Sequence, residues 1–332
     1  MNLNKIILTI VALIVLQTSC DQQSKTTRTL RKKPEKKSVM VPKFNADSAF
    51  YYVEKQVLYG PRVPGTKAHA ACATWLTQKL NQYADTVIVQ KFRARTYDKV
   101  SRNGMNIIAS FKPDDPKRVL LMSHWDSRPF ADHDPEESNH DKPIDGANDG
   151  ASGVGVLIEI ARQLSTQKPD VGIDIIFFDL EDWGPPTQLN LYDDTFWGLG
   201  SQHWSYNPHR YGYSAYFGIL LDMVGVKNPT YRKEYFSQQY ARYFHDLVWS
   251  TAADIGYGKY FLNEDGAPIN DDHVHVNRIA KIPSLNIIHL EPISGPQSFF
   301  EQWHTVDDNL ENISRESLAI VGDVVLTVIF NE

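Results

Sequence analysis

Three short apolar runs in this chain end in groups able to bind a metal or carry a proton. His124 and Asp126 follow residues 119–122; Asp179, Glu181 and Asp182 follow residues 173–178; Asp222 follows residues 217–221. Asp149 stands just before a strongly apolar helical pattern, Asp271, Asp272 and His273 are consecutive, and His304 lies between Trp303 and Thr305. Taken singly each has a plain reading: Asp149 as a helix N-cap, Asp271-Asp272 as a turn, Glu181-Asp182 as a solvated pair, His124 and His304 as packed or surface side chains. Brought to one place, so many carboxylates repel one another unless protonated or bridged by a cation. Carboxylates and imidazoles together are the ligand types of a hydrolytic or transfer metal centre. Other chemistries lack their signatures. There is no G-x-S-x-G elbow, no Walker A loop and no C-x-x-C pair; Gly150, Gly153 and Gly155 are in the wrong order for a dinucleotide fingerprint, and Asp149 would repel a pyrophosphate.

The elements that must position these groups read as an alternation. Residues 119–122, 173–178, 217–221 and 284–288 are short, apolar and rich in β-branched side chains, as buried strands are; Val154, Leu157, Ile158, Ala161 and Leu164 recur at helical spacing, and Ser314 precedes a second such stripe, Leu318, Val321, Val325 and Val328. The expected fold is α/β: a single domain with an open, mostly parallel twisted central sheet flanked by helices. In such sheets ligands bind beyond the carboxyl ends of the strands, where the candidate groups fall. The aromatic-rich segment 183–204 lacks periodicity and is expected to loop over that edge, with Trp197 and Trp204 equally readable as packing within the loop.

Of 332 residues, 42% are hydrophobic and 22% charged, enough to build a core. Residues 1–40 hold eight Lys/Arg against two acids; with 34 bases and 40 acids in all, the rest keeps 26 against 38, a net charge of -12 that argues against nucleic acid as a partner. Residues 1–20 combine Lys5, an apolar run too short to span a bilayer, and small residues before Cys20, which resembles the lipidated cysteine of bacterial lipoproteins. Residues 21–40 read as a flexible basic tether, and 41–332 as the catalytic domain. Cys72, beside a helical apolar stripe, is expected to be a buried thiol.

The motifs His124-Trp125-Asp126, residues 146–153, Phe177-Phe178-Asp179-Leu180-Glu181-Asp182, Leu220-Leu221-Asp222, Asp271-Asp272-His273 and residues 303–308, with residues 59–65 near the start, occur in an order that resembles the zinc aminopeptidase-like (M28) superfamily, and within it the glutaminyl cyclases in a bacterial lipoprotein form. The resemblance covers residues 45–330. It implies one zinc per chain held by Asp149, Asp182 and His304, with Glu181 as general acid/base, Asp222 and Asp271 in its hydrogen-bond network, and Phe299 and Trp303 walling the pocket. Trp183 is added to that wall from its place after Asp182. One departure stands out: the family commonly has Glu where this chain has Asp182, an arm shorter by about 1.5 Å. The implied reaction cyclises the N-terminal glutamine of peptides and proteins to pyroglutamate and releases ammonia. The alternative is a two-zinc aminopeptidase, in which His124 and Asp222 hold a second ion bridged by Asp149. The expected setting is exported and membrane-anchored, facing the periplasm of a Gram-negative bacterium; no oligomeric state is assigned.

Overall fold

The computed structural model describes residues 40–293 and 295–332. The leader expected at 1–20, with Cys20, and the tether up to residue 39 lie outside them. The main sheet has six strands: β1 (Thr86–Arg95), β2 (Ser101–Phe111), β3 (Arg118–His124), β4 (Gly172–Phe178), β5 (Phe217–Asp222) and, last in chain order, β8 (Ser284–Ile288). They lie in the order β1-β2-β4-β3-β5-β8, with β4, β3, β5 and β8 parallel and β1-β2 and β2-β4 antiparallel. β6 (Tyr231–Lys233) and β7 (Phe261–Asp265) form a separate two-stranded sheet.

β3, β4, β5 and β8 are buried along their whole length, which is why each reads as a mostly apolar run, with Asp174 in β4 and Asn286 in β8 as buried polar exceptions. Alternate residues serve opposite faces. Val119, Leu121, Ile173, Ile175 and Phe177 pack with α1 (Ala46–Val57), α2 (Lys67–Asn81), α3 (Ala151–Thr166), α5 (Tyr235–Asp254) and α7 (Arg315–Asn331). Leu120, Met122, Ile176 and Phe178 pack with Trp204 of α4 (Leu199–Tyr206) and with Val276, which follows α6 (Asp272–His275). Cys72 is buried in α2, and the Ser314 side chain accepts from Ser317 N to cap α7.

The glycines before and inside α3 serve packing. Gly150 has φ 86°, and a Cβ at Gly153 would sit 2.2 Å from the Leu221 carbonyl oxygen, so only glycine lets α3 approach β5 this closely. The β1-β2 hairpin escapes the sequence reading because β1 mixes Lys91, Arg93 and Arg95 with Val and Ile, and most of its residues stay exposed or half-buried. The segment expected to loop from 183 to 204 does so only as far as Gly198, where α4 begins.

Candidate active site

The parallel register sets the site. β3 pairs with β4 so that His124 lies opposite Phe178, and with β5 so that Met122 lies opposite Leu220. The chain leaving all three strands therefore turns at one level. After Phe178 the turn passes through Leu180 at φ 56°; Asp222 is followed by Met223 at φ 50°, and His304 itself has φ 55°. Left-handed backbone at non-glycine residues costs about 1–3 kcal/mol each and persists where the surroundings over-determine it.

Those surroundings are buried polar groups gripping the backbone. The Asp126 carboxylate accepts from Glu181 N and Asp182 N, both at 3.2 Å. The Asp308 carboxylate accepts from Asn148 N at 2.7 Å and Asp149 N at 3.0 Å. Arg128, 1% exposed, forms a two-pronged pair with Asp132 at 2.6 and 2.8 Å and donates to the carbonyl and Oδ1 of Asp182 at 3.2 and 3.3 Å. Asp132 Oδ1 lies 3.4 Å from His304 Nδ1, so one ion pair steadies both a carboxylate and an imidazole of the site. The backbone of Asp182 is fixed on both sides, its amide by Asp126 and its carbonyl by Arg128.

Asp149, Asp182 and His304 each offer one ligand atom within 4.8 Å of the others, and all three are buried. His304 Nε2 lies 3.3 Å from Asp182 Oδ1 and 3.6 Å from Asp149 Oδ2. Asp182 Oδ2 is buried and makes no hydrogen bond. An unpartnered buried carboxylate oxygen beside a second carboxylate and an imidazole fits a divalent cation such as zinc. A second group shares Asp149: His124 Nε2 lies 2.9 Å from Asp149 Oδ1 and 3.2 Å from Asp222 Oδ1. In a third, Asp132, His133 and His304, the Asp132 carboxylate is already committed to Arg128 and Thr187. Asp149 is no helix cap, since Gly150 takes that position.

The charges strain against one another. Burial drives the Glu181 carboxyl well above the usual range; His124 opposes the rise, and Asp271 and Asp182 add to it. Asp222 is pushed up to about 8, chiefly by burial. Asp182 also rises, by burial and by Asp149. Asp149 moves down, His124 overcoming burial. His124 is held protonated well above its ordinary range against burial by Asp126, Asp149 and Asp222.

Asp149, Glu181, Asp182, Asp222, Asp271, Phe299, Trp303 and His304, all expected from sequence, line one cavity of about 50 Å³ with Trp197, Met223, Ile269 and Asn270. Trp303 stacks on His304 with ring centroids 3.7 Å apart and meets Phe299 at 4.5 Å. Two expectations need correction. Trp183 does not line this cavity; its ring packs with Val63, Phe92, Leu180 and Leu199 and lies under the Arg102 guanidinium. It follows Asp182 in sequence, but the turn sends the two side chains apart. The hydrogen-bond network around Glu181 is also not made directly: among the described residues its carboxyl forms no hydrogen bond. Asp222 instead bonds His124, while Asp271 accepts from Asn286 Nδ2 at 2.7 Å and from Asp272 N at 2.6 Å. Of the undecided tryptophans, Trp197 reaches the site and Trp204 is core. Arg128, Asp132 and Asp308 were given no role by the sequence reading; only Asp308 carried a signal, its place four residues after His304. A larger cavity of about 460 Å³, between the start of α2 and the β1-β2 hairpin, has no carboxylate in its lining.

The model of the peptidase family M28 matches residues 106–329. The glutaminyl-peptide cyclotransferase of Bos taurus is 30% identical over 294 residues, covering 77% of this chain and 74% of its own length. Among solved structures, the Tannerella forsythia glutaminyl cyclase is 50% identical with TM-score 0.85, covering 88% of this chain and 100% of that one. A Zn-dependent exopeptidase from Parabacteroides distasonis is 51% identical with TM-score 0.86 and the same coverage. The family-model match over residues 106–329 and the similarity to these relatives show that the chain belongs to peptidase family M28.

Proposed function

We propose that this chain is a glutaminyl cyclase: it closes the N-terminal glutamine of peptides and proteins to pyroglutamate with release of ammonia. The observation that carries the reading is the Glu181 carboxyl, buried, protonated more readily than an ordinary carboxylate and without a hydrogen bond, beside a three-ligand cluster. Its support from outside is the likeness to enzymes of that name in Bos taurus and Tannerella forsythia.

In this reading Asp149, Asp182 and His304 hold one zinc, which when bound supplies a Lewis acid for the glutamine side-chain carbonyl. Glu181 takes a proton from the attacking α-amine and returns it to the departing nitrogen. The carbon–nitrogen bond of the ring forms as the bond to ammonia breaks, and no water is consumed. Near neutrality an appreciable part of the amine, with a pKa of about 7.7–8.0, is already free to attack. Burial and the neighbouring Asp271 raise the proton affinity of Glu181 toward that working range. Trp197, Phe299 and Trp303 hold the glutamine against the carboxyl and exclude the water that would hydrolyse it instead.

The two-zinc aminopeptidase keeps one observation in its favour, the placing of His124 between Asp149 and Asp222. Incubation with a glutamine-initiated peptide, read by mass spectrometry, separates the two. Ammonia loss that disappears on chelation and returns with one equivalent of zinc supports the cyclase; release of free glutamine, or activity that survives exhaustive chelation, refutes it. Among the described residues no helix is long and apolar enough to cross a membrane. The proposed attachment is through lipid on Cys20 after export, on the resemblance of residues 1–20 to a lipoprotein leader, with residues 21–40 as tether and 41–332 as the catalytic domain. Cys20→Ser is expected to release the protein from membranes; continued retention would overturn the anchor.

A further inference from the structure

A second cavity, of about 230 Å³, adjoins the site and is lined by His133, Gln297, Phe299, Phe300, Glu301 and Trp303. Phe299 and Trp303 belong to the lining of both cavities. In a peptide the next Cα lies only about 3.8 Å from that of the first residue. With glutamine in the site, the second side chain must then enter this neighbouring space or turn to solvent.

The lining of the second cavity has a distinct chemistry. His133 and Trp303 meet with ring centroids 4.5 Å apart, and Phe299 meets Trp303 on its other flank, so the floor is aromatic. Among the described residues, the one carboxylate in the lining is Glu301, exposed and bound only to the neighbouring Gln302 amide at 3.3 Å, and no Lys or Arg lines it. Aromatic faces attract cations through their quadrupoles, and a carboxylate at the rim adds a charge for the end of a long side chain. We infer that this cavity is the subsite for the residue following the N-terminal glutamine, and that Glu301 with Trp303 makes it select arginine or lysine over acidic residues. The surplus of acids in residues 41–332 acts in the same direction, drawing cationic peptides toward the molecule. The inference rests on the cyclase reading.

The test compares kcat/KM of the zinc-loaded full chain on three peptides that differ only in the second residue, Gln-Arg, Gln-Ala and Gln-Glu. The expected order is Arg above Ala above Glu, each step about three- to tenfold and smaller at high salt. In Glu301→Gln the Arg-to-Glu ratio should contract toward one, and in Glu301→Lys it should invert. An unchanged ratio in both variants, or no preference in the parent protein, overturns the subsite while leaving the cyclase reading intact. Cyclisation of none of the three peptides overturns both.

Discussion

β3 and β4 carry buried charges at both of their ends, and the two ends are built differently. At the amino end, Arg118 and Asp174 are each 1% exposed and face each other at 2.6 and 2.7 Å. Ser110 Oγ and Tyr213 OH donate to the same carboxylate, and the guanidinium also donates to the carbonyls of Lys112, Phe111 and Ile173. One cation meets one anion, and their hydrogen-bonding capacity is spent locally. At the carboxyl end, Asp126, Asp149, Glu181, Asp182, Asp222 and Asp271 are also buried, while Arg128 is the guanidinium that reaches one of them, Asp182, and is itself paired with Asp132. Burial alone therefore does not mark a site. The uncancelled negative charge does, because it creates a demand for protons or a metal that a satisfied pair lacks.

That contrast can be broken from either end. The largest effect is expected from Glu181→Gln, which should lower kcat about 10²–10⁴-fold with bound zinc unchanged by elemental analysis; a variant that still turns over well would remove its acid/base role. At the opposite end Asp174→Ala should cost about 3–5 kcal/mol in urea unfolding by stranding Arg118, with zinc affinity of the remaining folded protein unaltered. A matching loss of metal would mean that the two ends are not independent. Asp308→Asn loses acceptor strength at the amides of Asn148 and Asp149, and should weaken zinc binding about 10–100-fold in chelator competition, without the stability loss of Asp174→Ala.

A last effect is confined to the metal-free protein. Asp222 has its folded-state pKa pushed up to about 8, against about 3.9 when unfolded. Between those values the folded state keeps a proton that the unfolded state has lost, so this group makes stability fall as pH rises. Asp222→Asn should flatten the decline, which one such group makes about 1.4 kcal/mol steeper per pH unit between about pH 5 and 7, and a slope unaffected by the substitution would refute the assignment.

Much of this was legible from the chain. The four fully buried strands announced themselves because a strand covered on both faces is built mainly of apolar residues, even where a paired Asp174 or Asn286 interrupts it. Glu181, Asp182 and Asp222 stood out because each follows such a run, Asp149 because it stands before the clearest helix, and Asp271 and His304 through the Asp271-Asp272-His273 and Trp303-His304-Thr305 motifs. β1 was hidden because an edge strand with one exposed side admits Lys and Arg and loses the pattern. Trp183 misled because adjacent residues in an extended chain send their side chains to opposite sides: Asp182 lines the cavity while Trp183 packs with Val63, Phe92, Leu180 and Leu199.

Sequence by itself determined which side chains end the strands, since hydrophobic runs and the polar residues that stop them are local properties. Tertiary structure alone decided that Arg128 and Asp132 hold Asp182 and His304, that Asp126 and Asp308 hold the turns bearing Glu181, Asp182 and Asp149, and that Phe299 and Trp303 divide two adjoining cavities. Hydrogen bonds and electrostatic fields act over a few ångströms of space, and residues 148 and 308 become neighbours only when the sheet and its crossovers have closed.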